Sequence, residues 1–155
     1  MILHRDYDKA RFHQDRAFAL NPNDPRIVSQ RGETRVWLGE AAEAVGWIEK
    51  ALLLDPSEAE RRVKFLGHAH YMARQYQESI DAFKRTSRLG HMEHAYIAAC
   101  HAALGNMAEA EAETALVLER SPEFSISAVL KRALYALESD REHLRETMLK
   151  AGLAA

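Results

Sequence analysis

The amino-acid sequence predicts an all-α chain built as a stack of antiparallel helix pairs. Residues 17–22 (AFALNP) and 51–56 (ALLLDP) resemble each other, and their prolines, Pro22 and Pro56, lie 34 residues apart. A third related stretch ends at Pro122, 66 residues beyond Pro56 and close to two further periods. No segment shows the sustained alternation typical of a β-strand. A repeat of this length is typical of helix pairs that bury their apolar faces only by stacking on one another.

Local capping signals divide the chain into nine predicted helices. Asp24 before Pro25 has the form of an N-cap followed by proline at the first helical position. The runs that begin at Ser57 and Ser139 each place a glutamate three residues later, as in a capping box. Ser121 before Pro122 predicts another helix start. The predicted helices span about 5–20, 25–38, 41–54, 58–73, 76–89, 91–104, 107–120, 123–137 and 140–151.

Small residues recur where the two helices of each pair would meet. Gly32 and Gly67 lie in the first helices of two pairs, and Ile48 and Phe83 lie at helical spacing in the second helices. Gly105 separates the two helices of the last pair. Small residues let two helices approach closely, and the larger ones interlock with the next pair.

This pattern resembles the tetratricopeptide repeat family. The resemblance implies a right-handed superhelical α-solenoid, formed as a single domain over residues 1–155, with a half repeat at about 5–22 and full repeats at 25–56, 59–90 and 91–122. Capping helices over 123–151 would close it. The chain departs from the family pattern at Arg35 and Thr114, where aromatic residues are usual, and it lacks the proline that would close the third repeat.

The two ends of the chain lead to two further hypotheses. The first helix has the pattern of the second member of a pair, so one of its flanks is expected to be uncovered and to form a homodimer through this N-terminal edge. Residues 124–153 resemble the tail of tetratricopeptide regions in bacterial class III adenylate cyclases and related transcriptional regulators. That resemblance implies the C-terminal regulatory module of a larger bacterial signalling protein.

Composition and charge exclude several classes of partner and of structure. The formal net charge is −2, which gives no electrostatic reason to bind nucleic acid. The charges are uneven along the chain, because residues 59–90 carry seven Lys or Arg against three Asp or Glu, whereas residues 91–123 carry one against six. No apolar run approaches the roughly 18 residues of a membrane span, and the lone Cys100 excludes an internal disulfide. A cytoplasmic protein is expected.

No set of residues predicts catalysis. His91, His94 and His101 share a predicted helix and could bind Zn²⁺ with a fourth ligand, but the last two occupy positions that normally pack in this fold. Cys100 lies beside His101 in sequence, yet neighbouring helical residues point about 100° apart. We therefore expect no enzyme, no metal and no cofactor.

The resemblance also implies where a partner would bind. In this family the first helix of each pair (the A helix) lines a concave groove in which peptides lie. The sequence therefore predicts a scaffold that binds a peptide or helix of another protein, without catalysis. The candidate groove residues combine cations, aromatic side chains and methionines: Arg26, Glu33, Trp37, Arg61, Lys64, His68, Tyr71, Met72, Met92 and Tyr96.

Overall fold

Nine α-helices make up the computed structural model, which describes residues 6–155 apart from the side chain of residue 58. No strand occurs within that range. The helices are α1 Tyr7–Leu20, α2 Pro25–Trp37, α3 Ala41–Leu54, α4 Ala59–Met72, α5 Tyr76–Lys84, α6 His91–Leu104, α7 Met107–Arg120, α8 Ile126–Arg132 and α9 Glu138–Lys150, with a short 3₁₀ turn at Pro56–Glu58 before α4.

Three hairpins form the body of the molecule: α2 with α3, α4 with α5, and α6 with α7. Each hairpin packs on the next through the second helix of one pair and the first helix of the following pair, and α1 packs on α2. The A helices are therefore α2, α4 and α6. The predicted all-α stack of antiparallel pairs is confirmed.

The glycines of the A helices permit the close helix contacts that the sequence predicted. A Cβ on Gly32 would lie 2.6 Å from Cγ1 of Ile48 and 3.1 Å from the carbonyl oxygen of Ala44. A Cβ on Gly67 would lie 2.8 Å from the ring of Phe83. Both approaches are shorter than van der Waals contact, so only glycine lets the second helix of each pair pack this closely.

Helix starts agree with the predicted caps at only one of four positions. The Asp24 side chain accepts a hydrogen bond from the amide of Arg26, and Pro25 begins α2 as expected. Asp55, not Ser57, caps the turn before α4. Ser125, not Ser121, caps α8, and α9 begins at Glu138 with no side-chain cap.

Helix α5 is shorter than predicted, because the following residues bond elsewhere. It ends at Lys84 and not near residue 89. The Glu60 carboxylate accepts hydrogen bonds from the amides of Ser87 and Arg88 at 3.1 and 3.2 Å, and from the Ser87 hydroxyl at 2.7 Å. These contacts replace the helical bonds that another turn of α5 would make.

The C-terminal part of the chain departs most from the predicted helix bounds. In place of a helix over 123–137, α8 covers only seven residues and is followed by a non-helical stretch, 133–137, whose backbone is extended at Ala133 and Leu137. Helix α9 then packs on α6, with further contacts to α4. We call residues 133–153 the C-terminal segment. It lies across the A helices and therefore along the concave side of the stack.

Candidate functional site

The ten predicted groove residues do not share one environment. Arg26 and Arg61 are exposed, whereas Glu33, Trp37, Lys64, Met92 and Tyr96 are half-buried. His68, Tyr71 and Met72 are buried, with Tyr71 fully inaccessible. These last three side chains are covered in this structure, and for Tyr71 and His68 the contacts that cover them are visible.

The C-terminal segment covers the buried part of the groove. The Tyr135 hydroxyl shares a hydrogen bond of 2.7 Å with Nε2 of His68, and the amide of Ala136 donates to the carbonyl of Trp37 at 2.8 Å. The hydroxyls of Tyr71 and Thr147 are 2.5 Å apart. Thr147 donates its own proton to the carbonyl of His143, so Tyr71 is the donor in that pair.

The turn between α2 and α3 is shaped to receive this segment. Gly39 has a φ of +85°, in the left-handed region that favours glycine. The Leu137 side chain lies where a Cβ of Gly39 would be. The segment therefore touches all three hairpins: α2 and its turn, then α4, then α6 and α7.

The uncovered part of the groove forms a pocket of about 240 Å³, which we call the outer pocket. Its rim is charged, since Arg61 lies 3.5 Å from Glu33 and Lys64 lies 3.8 Å from Glu93. The Arg61 guanidinium also stacks over the Phe65 ring at 5.4 Å. The lining residues are Trp37, Arg61, Lys64, Phe65, His68, Phe83, Glu93 and Tyr96.

A second pocket of about 400 Å³, the inner pocket, adjoins the first, and Trp37 and Tyr96 line both. One wall comes from the A helices and the other from α8 and the C-terminal segment. Its apolar lining suits a large hydrophobic side chain. The lining residues are Trp37, His91, Met92, Tyr96, Ser121, Glu123, Phe124, Ser125, Ala128, Val129, Arg132, Ala133, Tyr135 and Leu144.

Sequence reasoning missed every residue that α8 and the C-terminal segment contribute to the inner pocket. Tyr135 and Leu144 are large apolar residues outside the repeats, and that is the only signal the sequence offers. Nothing in the spacing says that they fold back onto α2, α4 and α6.

Burial determines the protonation of three side chains beneath the rim of the groove, those of His68, Tyr96 and Tyr135, which we call the groove floor. Desolvation lowers the pKa of His68 to about 4, so its imidazole is neutral at physiological pH. Desolvation raises the pKa of Tyr96 to about 12 and that of Tyr135 well above its usual value. At neutral pH the floor is thus uncharged, and charges are confined to the rim.

Cys100 and His94, which the sequence raised as candidates for catalysis or metal binding, are not arranged for either role. Cys100 is inaccessible, and burial raises the pKa of its thiol to about 12. His94 is buried, with its Nδ1 2.6 Å from Oε2 of Glu113. Over residues 6–155 no group of three or more His, Cys, Asp or Glu side chains is arranged to hold a metal ion. In the same range, no helix has the length and apolar character that crossing a membrane requires.

Comparison with known proteins supports the repeat fold. No family model matches the chain. The small glutamine-rich tetratricopeptide repeat-containing protein 2 of Mycosarcoma maydis is 30% identical over 81 residues, which are 52% of this chain and 23% of that protein. The U-box domain-containing protein 70 of Oryza sativa subsp. japonica is 35% identical over 51 residues, 33% of this chain and 6% of that protein. The chain thus spans less than a quarter of the length of either relative.

A solved structure extends the likeness to nearly the whole chain. The crystal structure of MamA superimposes with a TM-score of 0.67 over 94% of this chain and 86% of that one, at 21% sequence identity. An identity this low bears on the fold alone. The chain has the fold of a tetratricopeptide-type α-solenoid.

Proposed function

We propose that this chain is a non-catalytic scaffold that binds a peptide or helix of a partner protein in the uncovered part of its concave groove. The observation that carries the proposal is the pair of adjoining pockets that share Trp37 and Tyr96. Aromatic walls and a rim with an exposed arginine are typical of the residues that dominate binding energy at protein interfaces. The adjacent charges of Arg61, Lys64, Glu33 and Glu93 would fix the direction of a bound segment.

The test of this proposal substitutes groove residues that a partner can reach. Arg61→Glu combined with Phe65→Ala reverses the rim charge and removes an aromatic wall of the outer pocket. We expect this groove variant to lose at least about tenfold in affinity, or about 1.4 kcal/mol, for a protein that the native chain retains from a cell extract. Binding is measured by pull-down, followed by titration with the purified partner.

A control variant makes the same charge reversal and truncates another large apolar residue elsewhere. Arg120→Glu with Leu118→Ala alters exposed side chains of α7, the second helix of its pair. It should retain the partner as the native chain does, with both variants equally helical by circular dichroism. Equal retention by all three proteins would place the binding surface outside the groove.

Self-association through the N-terminal edge is a further part of the proposal. Helix α1 leaves Phe12 and Leu20 60% and 80% exposed, and both could be buried in a homodimer. Light scattering of the native chain at high concentration should then give the mass of a dimer, which Phe12→Glu reduces to that of a monomer. A monomer at every concentration would contradict dimerisation.

The alternative function, a C-terminal regulatory module of a bacterial adenylate cyclase or transcriptional regulator, stays a prediction. It rests on the resemblance of residues 124–153. A transcript that joins this reading frame to an upstream catalytic or DNA-binding domain would support it, and an independent transcript would count against it.

A further inference from the structure

Helix α9 meets the concave surface in the manner of a bound helical ligand. The residues that face α4 and α6 or are buried include Asp140, His143, Leu144, Thr147 and Met148. Their spacing is i, i+3, i+4, i+7 and i+8, which is the contact pattern of an amphipathic helix in a groove. The other side of α9 is exposed and charged.

The position of α9 also differs from that of a further repeat. In their contacts with the preceding pair, helices α4 and α6 each pack mainly on its second helix, as a solenoid requires. Helix α9 packs mainly on α6, an A helix, and touches α4. It therefore occupies the concave surface and does not continue the stack.

The contacts beneath α9 combine polar pairs with apolar side chains. Leu144 and Met148 are fully buried in the hydrophobic core. Tyr71 bonds to Thr147, and the Tyr76 hydroxyl lies 3.1 Å from Nε2 of His143. The His143 ring also stacks on Tyr71 at 4.8 Å, and Nδ1 of His143 is buried without a hydrogen-bond partner among the described residues. An apolar stripe with polar pairs beside it is what an amphipathic helix presents to a groove.

The stretch before α9 adds a separate anchor. Residues 133–137 are non-helical, with extended backbone at Ala133 and Leu137, and Tyr135 lies between Trp37 and His68, with ring centroids 4.8 and 6.0 Å away. An extended arm that carries a tyrosine, followed by an amphipathic helix, is thus the shape and chemistry that the concave surface accommodates.

We propose that the concave surface of α4 and α6 is a binding site for an amphipathic helix, which the C-terminal segment occupies in the same chain. The partner is a helix of another protein with the contact pattern of α9, preceded by an extended arm with an aromatic residue. It takes the place of the C-terminal segment when that segment is released. This surface lies under the segment, so the proposal does not depend on binding in the outer pocket.

The test uses the chain's own segment as the ligand. A fluorescent synthetic peptide of residues 133–153 is titrated against the full chain and followed by anisotropy. A weakened variant, Tyr135→Ala with Leu144→Ala, loses two anchors of the internal segment but keeps the surface of α4 and α6. We expect it to bind the peptide at least about tenfold more tightly than the native chain does, because its own segment competes less well.

A control variant changes the opposite side of the same helix. Glu138→Ala with Glu142→Ala alters exposed residues of α9 and should bind the peptide as weakly as the native chain. Tighter binding by the weakened variant alone supports the proposal. A weakened variant that is fully helical and binds no more tightly than the control overturns it.

If the weakened variant fails to fold, hydrogen exchange of the native chain tests whether the C-terminal segment opens separately from the hairpins. The proposal predicts that the amides of α9 exchange faster than those of α4 and α6, because the segment opens without unfolding the hairpins. Equal exchange rates for the three helices would make the segment an inseparable part of the core and would overturn the proposal. The groove variant, Arg61→Glu with Phe65→Ala, is not used in either measurement, so its result tests the proposed function alone.

Discussion

Replacement of Phe83 by alanine is expected to lower the free energy of unfolding by about 3 to 5 kcal/mol. The Phe83 side chain is 1% exposed and fills the space left by Gly67 in the facing helix. Its ring lies nearly parallel to that of Tyr96, with centroids 6.1 Å apart. The substitution would leave a cavity at the junction of the second and third hairpins, which α5 and α6 cannot close without losing other contacts. Chemical denaturation at neutral pH gives the value.

Phe12→Ala is the matched control for this prediction. The same side chain is removed, but Phe12 is 60% exposed on α1. Its loss should change the free energy of unfolding by no more than about 0.5 kcal/mol in the monomer. Equal effects of the two substitutions would mean that the helix pairs do not pack as described.

Mild acid is expected to destabilise the fold through His68. Its pKa is about 4 in the folded chain, because it is buried, against an ordinary value of 6.5. The unfolded chain therefore binds more protons between these values, and stability falls as pH falls. The full difference is about 3 kcal/mol, of which about 2 kcal/mol is lost between pH 7 and pH 5. Desolvation also lowers the pKa of His143 to about 4, which acts in the same direction.

Two carboxyls, half-buried Glu33 and buried Asp140, act in the opposite direction at lower pH. Desolvation raises the pKa of Glu33 and of Asp140, so their protonation favours the folded state. Their effect begins at their raised pKa values, above the ordinary range of carboxyl groups, so the contribution of His68 is measured as the difference between a variant and the native chain. In urea titrations from pH 7 to pH 5, His68→Gln should be less sensitive to pH than the native chain, because only His143 then acts in this direction, whereas exposed His91→Gln should behave like the native chain. An unchanged pH dependence in His68→Gln would contradict the burial of a neutral imidazole.

The repeated part of the fold was predictable, because its signals are local. Proline spacing, small residues at Gly32 and Gly67, and the cap at Asp24 each act within one helix pair. The end of α5 was not predictable from local pattern, since it depends on Glu60, 27 residues before Ser87. Side chain–backbone bonds over such distances leave no trace in helical periodicity.

The candidate site was predictable only where it follows the repeat. The A-helix positions place Trp37, Arg61, Lys64 and Tyr96 around the open pockets. Tyr71 occupies an equivalent position, yet it is buried by contacts with His143 and Thr147, the latter 76 positions later in the chain. A long-range fold-back of this kind is specified by shape and hydrogen-bond complementarity, and no residue spacing encodes it.

We expect a partner protein to touch the uncovered part of the concave groove. The most direct measurement replaces Phe65, in the outer pocket, by a photoreactive benzoyl-phenylalanine and irradiates the chain in its native cells. The same residue at Leu118, which is 42% exposed on α7, serves as the comparison. A covalent adduct with a partner protein should form from position 65 and none from position 118. An adduct from position 118 alone would contradict this expectation and would place the working surface on the outer face of the solenoid.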